Sequence, residues 1–349
     1  MSKKDLVSIN QSELKEFLGH IITNNRHLQD NGKGPISIEV IGESGIGKTS
    51  SIIQLAEELG LNFVKLNLAQ IEEIGDLVGF PIRQFEMTNG SDTKFVDEHL
   101  VEDYRNEKYK ATGKNQMSYC PPEWIANKDK GGILLLDDWN RADSRFIQAV
   151  MELIDRQQYI SWSLPKDWHI ILTANPDNGD YLVNTIDNAQ KTRFISVQLK
   201  FDMDCWAKWA ENADIDGRCI NFMLMNPELI NKEVNSRSAV MFFNSISSIP
   251  SFEDNLPLIS MIGEGSVGNE FANLFAMFIN NKLDKIISPK SIIDNDEKYV
   301  IQTLRSIVGN EDKYRADIAS TISIRLVNYL DRFANENKVE KQVIDRIKT

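Results

Sequence analysis

Residues 42–50 read GESGIGKTS, directly after the apolar run ISIEVI. Glycine costs a helix about 1 kcal/mol relative to alanine, so a helix that opens on bare backbone needs that backbone for something. Gly42-Glu43-Ser44-Gly45-Ile46-Gly47-Lys48-Thr49 fits G-x-x-x-x-G-K-T. In that pattern the glycines let successive N–H groups turn inward around a phosphate, and the start of the following helix adds the positive end of its dipole. Lys48 reaches the β- and γ-phosphates of a nucleotide, the Thr49 hydroxyl ligates Mg²⁺, and Ser50 completes the cradle. With glycine near 7% of residues, chance supplies this pattern in roughly one chain in a hundred of this length.

Two further strand ends carry matching chemistry. Ile133-Leu-Leu-Leu136-Asp137-Asp138 is an apolar run closed by two carboxylates. Asp137 at the strand end is placed to meet the Mg²⁺ held by Thr49, and Asp138 to orient or deprotonate a water in line with the γ-phosphate. Ile170-Ile-Leu-Thr173-Ala-Asn175-Pro ends a strand on an amide that can position the same water and sense the γ-phosphate. Asn-Pro alone is turn chemistry; in this order it gains a role. By contrast, Gly263-Glu-Gly265-Ser-Val-Gly268 satisfies G-x-G-x-x-G without a surrounding βαβ unit. It reads as a loop that ends one helix and starts another.

The elements that must hold these residues follow from periodicity. Residues 11–29 are helical, with Leu14, Leu18, Ile21 and Ile22 on one face. Strand runs at 35–41, 62–68, 133–136, 169–173 and 194–199 alternate with helical segments at 50–59 and 144–156. Strands separated by helices predict an α/β fold with a parallel five-stranded sheet flanked by helices. Residues 84–119 are polar and turn-rich with no steady period, and read as a long insertion or mobile loop. Beyond about residue 200 the strand signals stop and helical patches take over. The expected division is an α/β core over 1–200, an α-helical lid over 201–285 and a helical C-terminal region over 286–349. Ile318, Ile322, Leu326, Tyr329 and Phe333 form one helical face there, read as packing against the lid.

Composition narrows the function classes. The chain has 349 residues, 42% hydrophobic and 26% charged, with a net charge of −12. An acidic chain is repelled by phosphate backbones, so direct nucleic-acid binding is not expected. Cys120, Cys205 and Cys219 are scattered thiols without C-x-x-C spacing, and the four histidines form no ligand cluster with them, so no structural zinc is expected. No run approaches a membrane span and the N-terminus lacks a signal-peptide core, so the expected location is cytoplasmic.

The series GESGIGKT, GDLVGFP, GGILLLDDWNRA, FIQAVMELIDRQQY, WHIILTANPDN, DNAQKTRFISVQL and NSRSAV falls in order over about residues 35–245. It resembles the AAA+ ATPases, and within them the MoxR/McrB-related clade, whose midasin-like relatives share these features. The resemblance implies a P-loop core that binds ATP with Mg²⁺. Lys48 and Thr49 would be the Walker A pair and Asp137 the Walker B metal ligand. Asp138 would be the catalytic base, Asn175 the sensor 1 residue, Arg193 the arginine finger and Arg237 the sensor 2 residue. It further implies a ring, usually a hexamer of this chain, that remodels a protein partner, often one with a von Willebrand factor A domain. The other readings are the ATPase subunit of a McrB-type restriction complex and a nucleotide-gated binding module with very slow hydrolysis. Two positions depart from the family: Asp138 stands where Glu is usual, and Thr192-Arg193 where close relatives carry an Arg pair. Asn140 and Arg141 resemble the family's subunit-facing segment, or else a capped helix start. Residues 157–168 sit where the clade inserts a hairpin, with Trp162 and Trp168 read as packing residues.

Overall fold

In the computed structural model the described residues are 6–128, 130–179, 181–184, 187–231, 233–281, 286–309 and 314–336, the side chains of 188 and 331–336 excepted. The chain divides into two compact units. One comprises Met1–Glu43 with Gly47–Lys200, the other Ser44–Ile46 with Phe201–Thr349. The strands, all in the first, are β1 (Ser8–Ile9), β2 (Ser37–Ile41), β3 (Asn62–Asn67), β4 (Phe80–Thr88), β5 (Thr93–Asp97), β6 (Lys110–Cys120), β7 (Gly132–Asp137), β8 (Gln158–Tyr159), β9 (Trp162–Ser163), β10 (Trp168–Ala174) and β11 (Phe194–Leu199). Its helices are α1 (Gln11–Asp30), α2 (Lys48–Glu58), α3 (Ile74–Val78), α4 (Val101–Asn106), α5 (Ser144–Arg156) and α6 (Asn188–Lys191).

The central sheet is parallel throughout, in the order β1-β11-β2-β10-β7-β3. It has six strands, one more than the sequence predicts. The extra strand is the two-residue edge Ser8–Ile9, paired to Gln198 and Leu199 and too short to leave a periodic signal. Strands β7 and β10 are buried along their whole lengths, as unbroken apolar runs between helical layers should be. On one face Leu134, Leu136, Ile170 and Leu172 cluster with Phe146, Ile147, Val150, Leu153 and Ile154 of α5. Each such side chain contributes about 1.5–3 kcal/mol on burial. Strand alternation turns Leu135 and Asp137 to the opposite face.

Of the two readings given for residues 84–119, a long insertion or a mobile loop, the mobile loop does not hold, because they lie mostly within strands and a helix. Strands β4, β5 and β6 form a separate antiparallel sheet in the order β5-β4-β6, with α4 between β5 and β6. The polarity pattern hides it because β6, KATGKNQMSYC, is almost wholly exposed and so need not alternate. Entry into β4 depends on Gly79, at φ +85°, where an added Cβ would fall 1.9 Å from the Cys120 carbonyl oxygen. The hairpin expected over 157–168 is present as β8-β9, with Ile160 at φ +44° in its turn. Trp162 is buried, donates its indole N–H to the Val78 carbonyl oxygen at 2.9 Å, and meets Trp124 edge-on. Trp168 is fully buried.

The second unit is helical: α7 (Met203–Asn212), α8 (Gly217–Met225), α9 (Ser236–Ile246), α10 (Leu256–Val267), α11 (Asn269–Asn280), α12 (Pro289–Asp294), α13 (Glu297–Val308) and α14 (Ala316–Glu336). Its core is aromatic, with Phe222, Phe242, Phe243, Phe271, Phe275 and Phe278 in mutual ring contact. The Gly263–Gly268 stretch is a loop only at Gly268, which separates α10 from α11. Gly263 lies inside α10, where a Cβ would stand 2.8 Å from that of Ala272. Ile318 and Ile322 of α14 pack with Ile286 and Ile287. The buried Arg325 donates to Glu211 of α7 at 2.7 Å and Asn221 of α8 at 3.1 Å. The Phe333 side chain lies outside the described residues. Among the described residues no helix is long and apolar enough to cross a membrane.

Candidate nucleotide site

The stretch Gly42–Thr49 leaves the C-terminal end of β2 and enters α2 at Lys48. Gly47 is the N-cap residue of α2, at φ +96°, and it offers no side-chain hydrogen bond to the first turn. Helices α1 and α5 are capped by Asn10 and Asp143. An uncapped start leaves backbone N–H groups for a ligand, with the helix dipole behind them. Ser44–Ile46 group with the second unit. There the Ser236 hydroxyl donates to the Gly45 carbonyl oxygen, and a Cβ on Gly45 would fall 2.6 Å from Asn235 Oδ1. Gly42 and Ile46 are buried, while Glu43 and Ser50 are exposed.

Lys48 is buried, and its ammonium donates to the carbonyl oxygens of Gly42 at 2.6 Å and Glu43 at 2.9 Å and to Asn175 Oδ1 at 3.3 Å. Its neighbour Thr49 donates from its hydroxyl to Asp137 Oδ1 at 3.1 Å. Thr173 donates to the same oxygen, and Lys65 Nζ lies 2.8 Å from Oδ2. Burial pushes the Asp137 carboxyl up, but Lys65, Thr173 and Thr49 together outweigh it and hold the group below its ordinary value. Asp137 is therefore a carboxylate at neutral pH.

Asp138 is the next residue and adopts a left-handed backbone, φ +51°. That twist takes its side chain off the strand. Asp138 Oδ1 accepts from Asn175 Nδ2 at 3.0 Å, its N–H donates to the Thr173 hydroxyl at 3.2 Å, and Arg141 lies 3.8 Å from Oδ2. Asn175, closing β10, thus touches both Lys48 and Asp138. Asn140 does not face outward. It is buried and grips the Asn175 backbone from both sides, donating to its carbonyl oxygen at 2.8 Å and accepting from its N–H at 3.2 Å. The exposed Glu43 accepts from the Tyr181 hydroxyl at 2.7 Å.

Lys48, Thr49, Asp137, Asp138 and Asn175 therefore form one connected network. Among the described residues no hydrogen bond or ion pair joins Arg193 to it. Arg193 follows α6 and lies 3.8 Å from Asp155 of α5, its side chain 37% exposed. Arg237 is exposed in the first turn of α9, in the second unit, where Asn235 caps the helix. Thr173 and Lys65 escaped the sequence reading, and Asn140 was read there as subunit-facing or as part of a capped helix start. Thr173 is a hydroxyl at the buried end of an otherwise apolar strand, a signal visible in IILTAN. Asn140 and Lys65 act through cross-strand geometry that a single sequence does not display.

The oxygen donors fit a hard divalent cation. Mg²⁺ takes one or two protein oxygens and completes its shell with phosphate and water, and Thr49 with Asp137 supplies that set. Among the described residues no group of three or more His, Cys, Asp or Glu side chains could hold a metal ion.

Residues 37–194 match the family model of the AAA domain, dynein-related subfamily. No curated protein matches the chain. Among solved structures it is similar to RuvB, the Holliday junction branch migration motor of Thermotoga maritima, at 15% identity and TM-score 0.41, covering 93% of this chain and 88% of that one. A single-residue variant of that RuvB gives the same figures. A Cytophaga hutchinsonii protein described as a candidate ATPase is 15% identical with TM-score 0.37, covering 98% of this chain and 90% of that one. Likenesses this remote carry no argument about activity. The loop, the two strand ends and Arg193 all fall inside the segment that matches the AAA-domain model.

Proposed function

We propose that this chain is a MoxR-like AAA+ ATPase that binds and hydrolyses ATP with Mg²⁺ in an oligomeric, sixfold ring and uses the energy to remodel a protein partner. One observation carries the ATPase reading: Asn175 joins the phosphate-loop lysine to the second carboxylate of the β7 end, Lys48 at 3.3 Å and Asp138 at 3.0 Å. Lys48 binds the β- and γ-phosphates, replacing the loop carbonyls it now meets. Thr49 and Asp137 would hold Mg²⁺, which would supply positive charge to offset that of the phosphates. Asp138 orients the attacking water and accepts its proton, with Asn175 fixing the carboxylate. Arg193 is assigned to the γ-phosphate of a neighbouring copy and Arg237 to sensor 2.

The partner is proposed to be a protein with a von Willebrand factor A domain, on the strength of the clade resemblance. The net charge of −12 counts against direct grip on nucleic acid. A nucleotide-gated module with very slow turnover is the second reading. Asp138 supports it, one methylene shorter than the usual Glu. Steady-state ATP turnover, measured alone and with a von Willebrand-type protein or double-stranded DNA added separately, separates the readings. Stimulation by the protein alone is expected. Stimulation by DNA alone would favour a McrB-type role, and a near-zero rate in every mixture would favour the slow module.

A further inference from the structure

Asp137, the carboxylate assigned to Mg²⁺, already carries a cation from its own chain. Lys65 Nζ lies 2.8 Å from Oδ2, while Oδ1 faces the Thr49 and Thr173 hydroxyls. The pair is built into the sheet. Parallel register sets Lys65 opposite Leu135 and Asn67 opposite Asp137, so Lys65 stands one diagonal step from Asp137 on the same face. A four-carbon stem spans that diagonal. Because β3 is the last strand of the sheet, the Lys65 side chain stays 40% exposed while that of Asp137 is 10% exposed. The ammonium can swing into solvent; the carboxylate cannot.

We propose that Lys65 is an internal counter-ion that competes with Mg²⁺ for Asp137, so that the metal is held firmly only when a nucleotide's phosphates arrive with it. The proposal rests on the reading of this site as one for Mg²⁺ and ATP. A carboxylate shared with an ammonium offers a divalent cation only part of its charge, and two cations drawn to one carboxylate repel each other. Mg²⁺ alone gives up its water reluctantly and loses most from that sharing. Mg²⁺ delivered on a triphosphate brings its own anionic ligands and loses least. Lys65 also prevents a nearly buried carboxylate from standing uncompensated in the metal-free protein, a state that is costly.

Lys65→Met keeps the stem and removes the charge. Two quantities are read on the full chain: the thermal unfolding midpoint as Mg²⁺ alone is titrated, and the Mg²⁺ concentration that half-saturates binding of a fluorescent ATP analogue. In EDTA the variant is expected to unfold at a lower temperature than wild type. Mg²⁺ alone should recover that loss, and both half-saturating concentrations should fall by roughly three- to tenfold. Lys65→Arg, which keeps a cation, should follow wild type. An unchanged Mg²⁺ requirement in Lys65→Met would overturn the proposal, and a raised one would make Lys65 an orienter of Asp137 instead. Should Lys65→Met fail to fold, Lys65→Gln supports the same comparison. If wild type binds no analogue at saturating Mg²⁺, the ATP reading fails, and the unfolding curves with Mg²⁺ alone still decide the role of Lys65.

Discussion

Among single residues, Glu39 places a carboxylate where ordinary sequence logic would not. Glu39 lies in the middle of β2, 5% exposed, accepting from the Trp139 indole at 2.9 Å and the Ser196 hydroxyl at 2.7 Å. Burial raises its proton affinity, and the Ser196 and Trp139 hydrogen bonds only partly offset that. Its folded-state value lies above its ordinary value of 4.5. Its favourable contribution to stability is therefore complete below about pH 4.5 and is lost as the pH rises through the raised value. Glu39→Gln keeps an acceptor for Trp139 and a partner for Ser196 without the charge. It should raise the thermal unfolding midpoint at pH 8, with the gain shrinking towards pH 4.5; an equal shift at both pH values would contradict this. The residues that do chemistry were legible because their spacing along the chain is itself the signal, as in GESGIGKT and LLLDD. Lys65 and Thr173 were not, because each meets its partner across strands, and the tie from Asn140 to the Asn175 backbone joins the segments after two strands. Lys65 and Asp137 are neighbours only through the β3–β7 register.

Elements were legible in proportion to how one-sidedly they are buried. Helix α5 carries Phe146, Ile147, Val150, Leu153 and Ile154 on its core face, and it spans Ser144–Arg156 as the pattern predicts. The β4-β5-β6 sheet was not legible, since Met87 and Val96 are the buried apolar residues of its described strands. A sheet with so little core depends on backbone fit. Gly79 is where that fit is tightest: both its φ of +85° and the 1.9 Å approach of the Cys120 carbonyl oxygen exclude a side chain. Gly79→Ala should cost on the order of 3 kcal/mol or more. It should make residues 80–120 the first segment cut in limited proteolysis. Unchanged unfolding and an unchanged cleavage map would show that the β4 entry tolerates a Cβ.

For the whole molecule the account turns on copies acting on one another. Arg193 is proposed to serve a neighbouring nucleotide, which requires it to leave Asp155, 3.8 Å away and half exposed. A guanidinium supplied in trans is worth roughly 10³–10⁵ in rate with little effect on ground-state binding. Arg193→Ala and Lys48→Ala should each be inactive alone, whereas a mixture should recover part of the turnover by joining an intact pocket to an intact finger. Mixed rings seen by mass measurement without recovered turnover would remove Arg193 from that role. The helical character of the second unit was legible from its patches, but the Arg325–Glu211 tie between residues 114 positions apart was not. The most direct test of the central claim compares nucleotide binding and turnover side by side in wild type and Asp138→Asn. An amide still fits beside Asn175 but cannot accept a proton from water. The account predicts ATP affinity within about threefold of wild type and turnover reduced by roughly 10²-fold or more. Equal turnover in the two proteins would contradict it and place the base elsewhere.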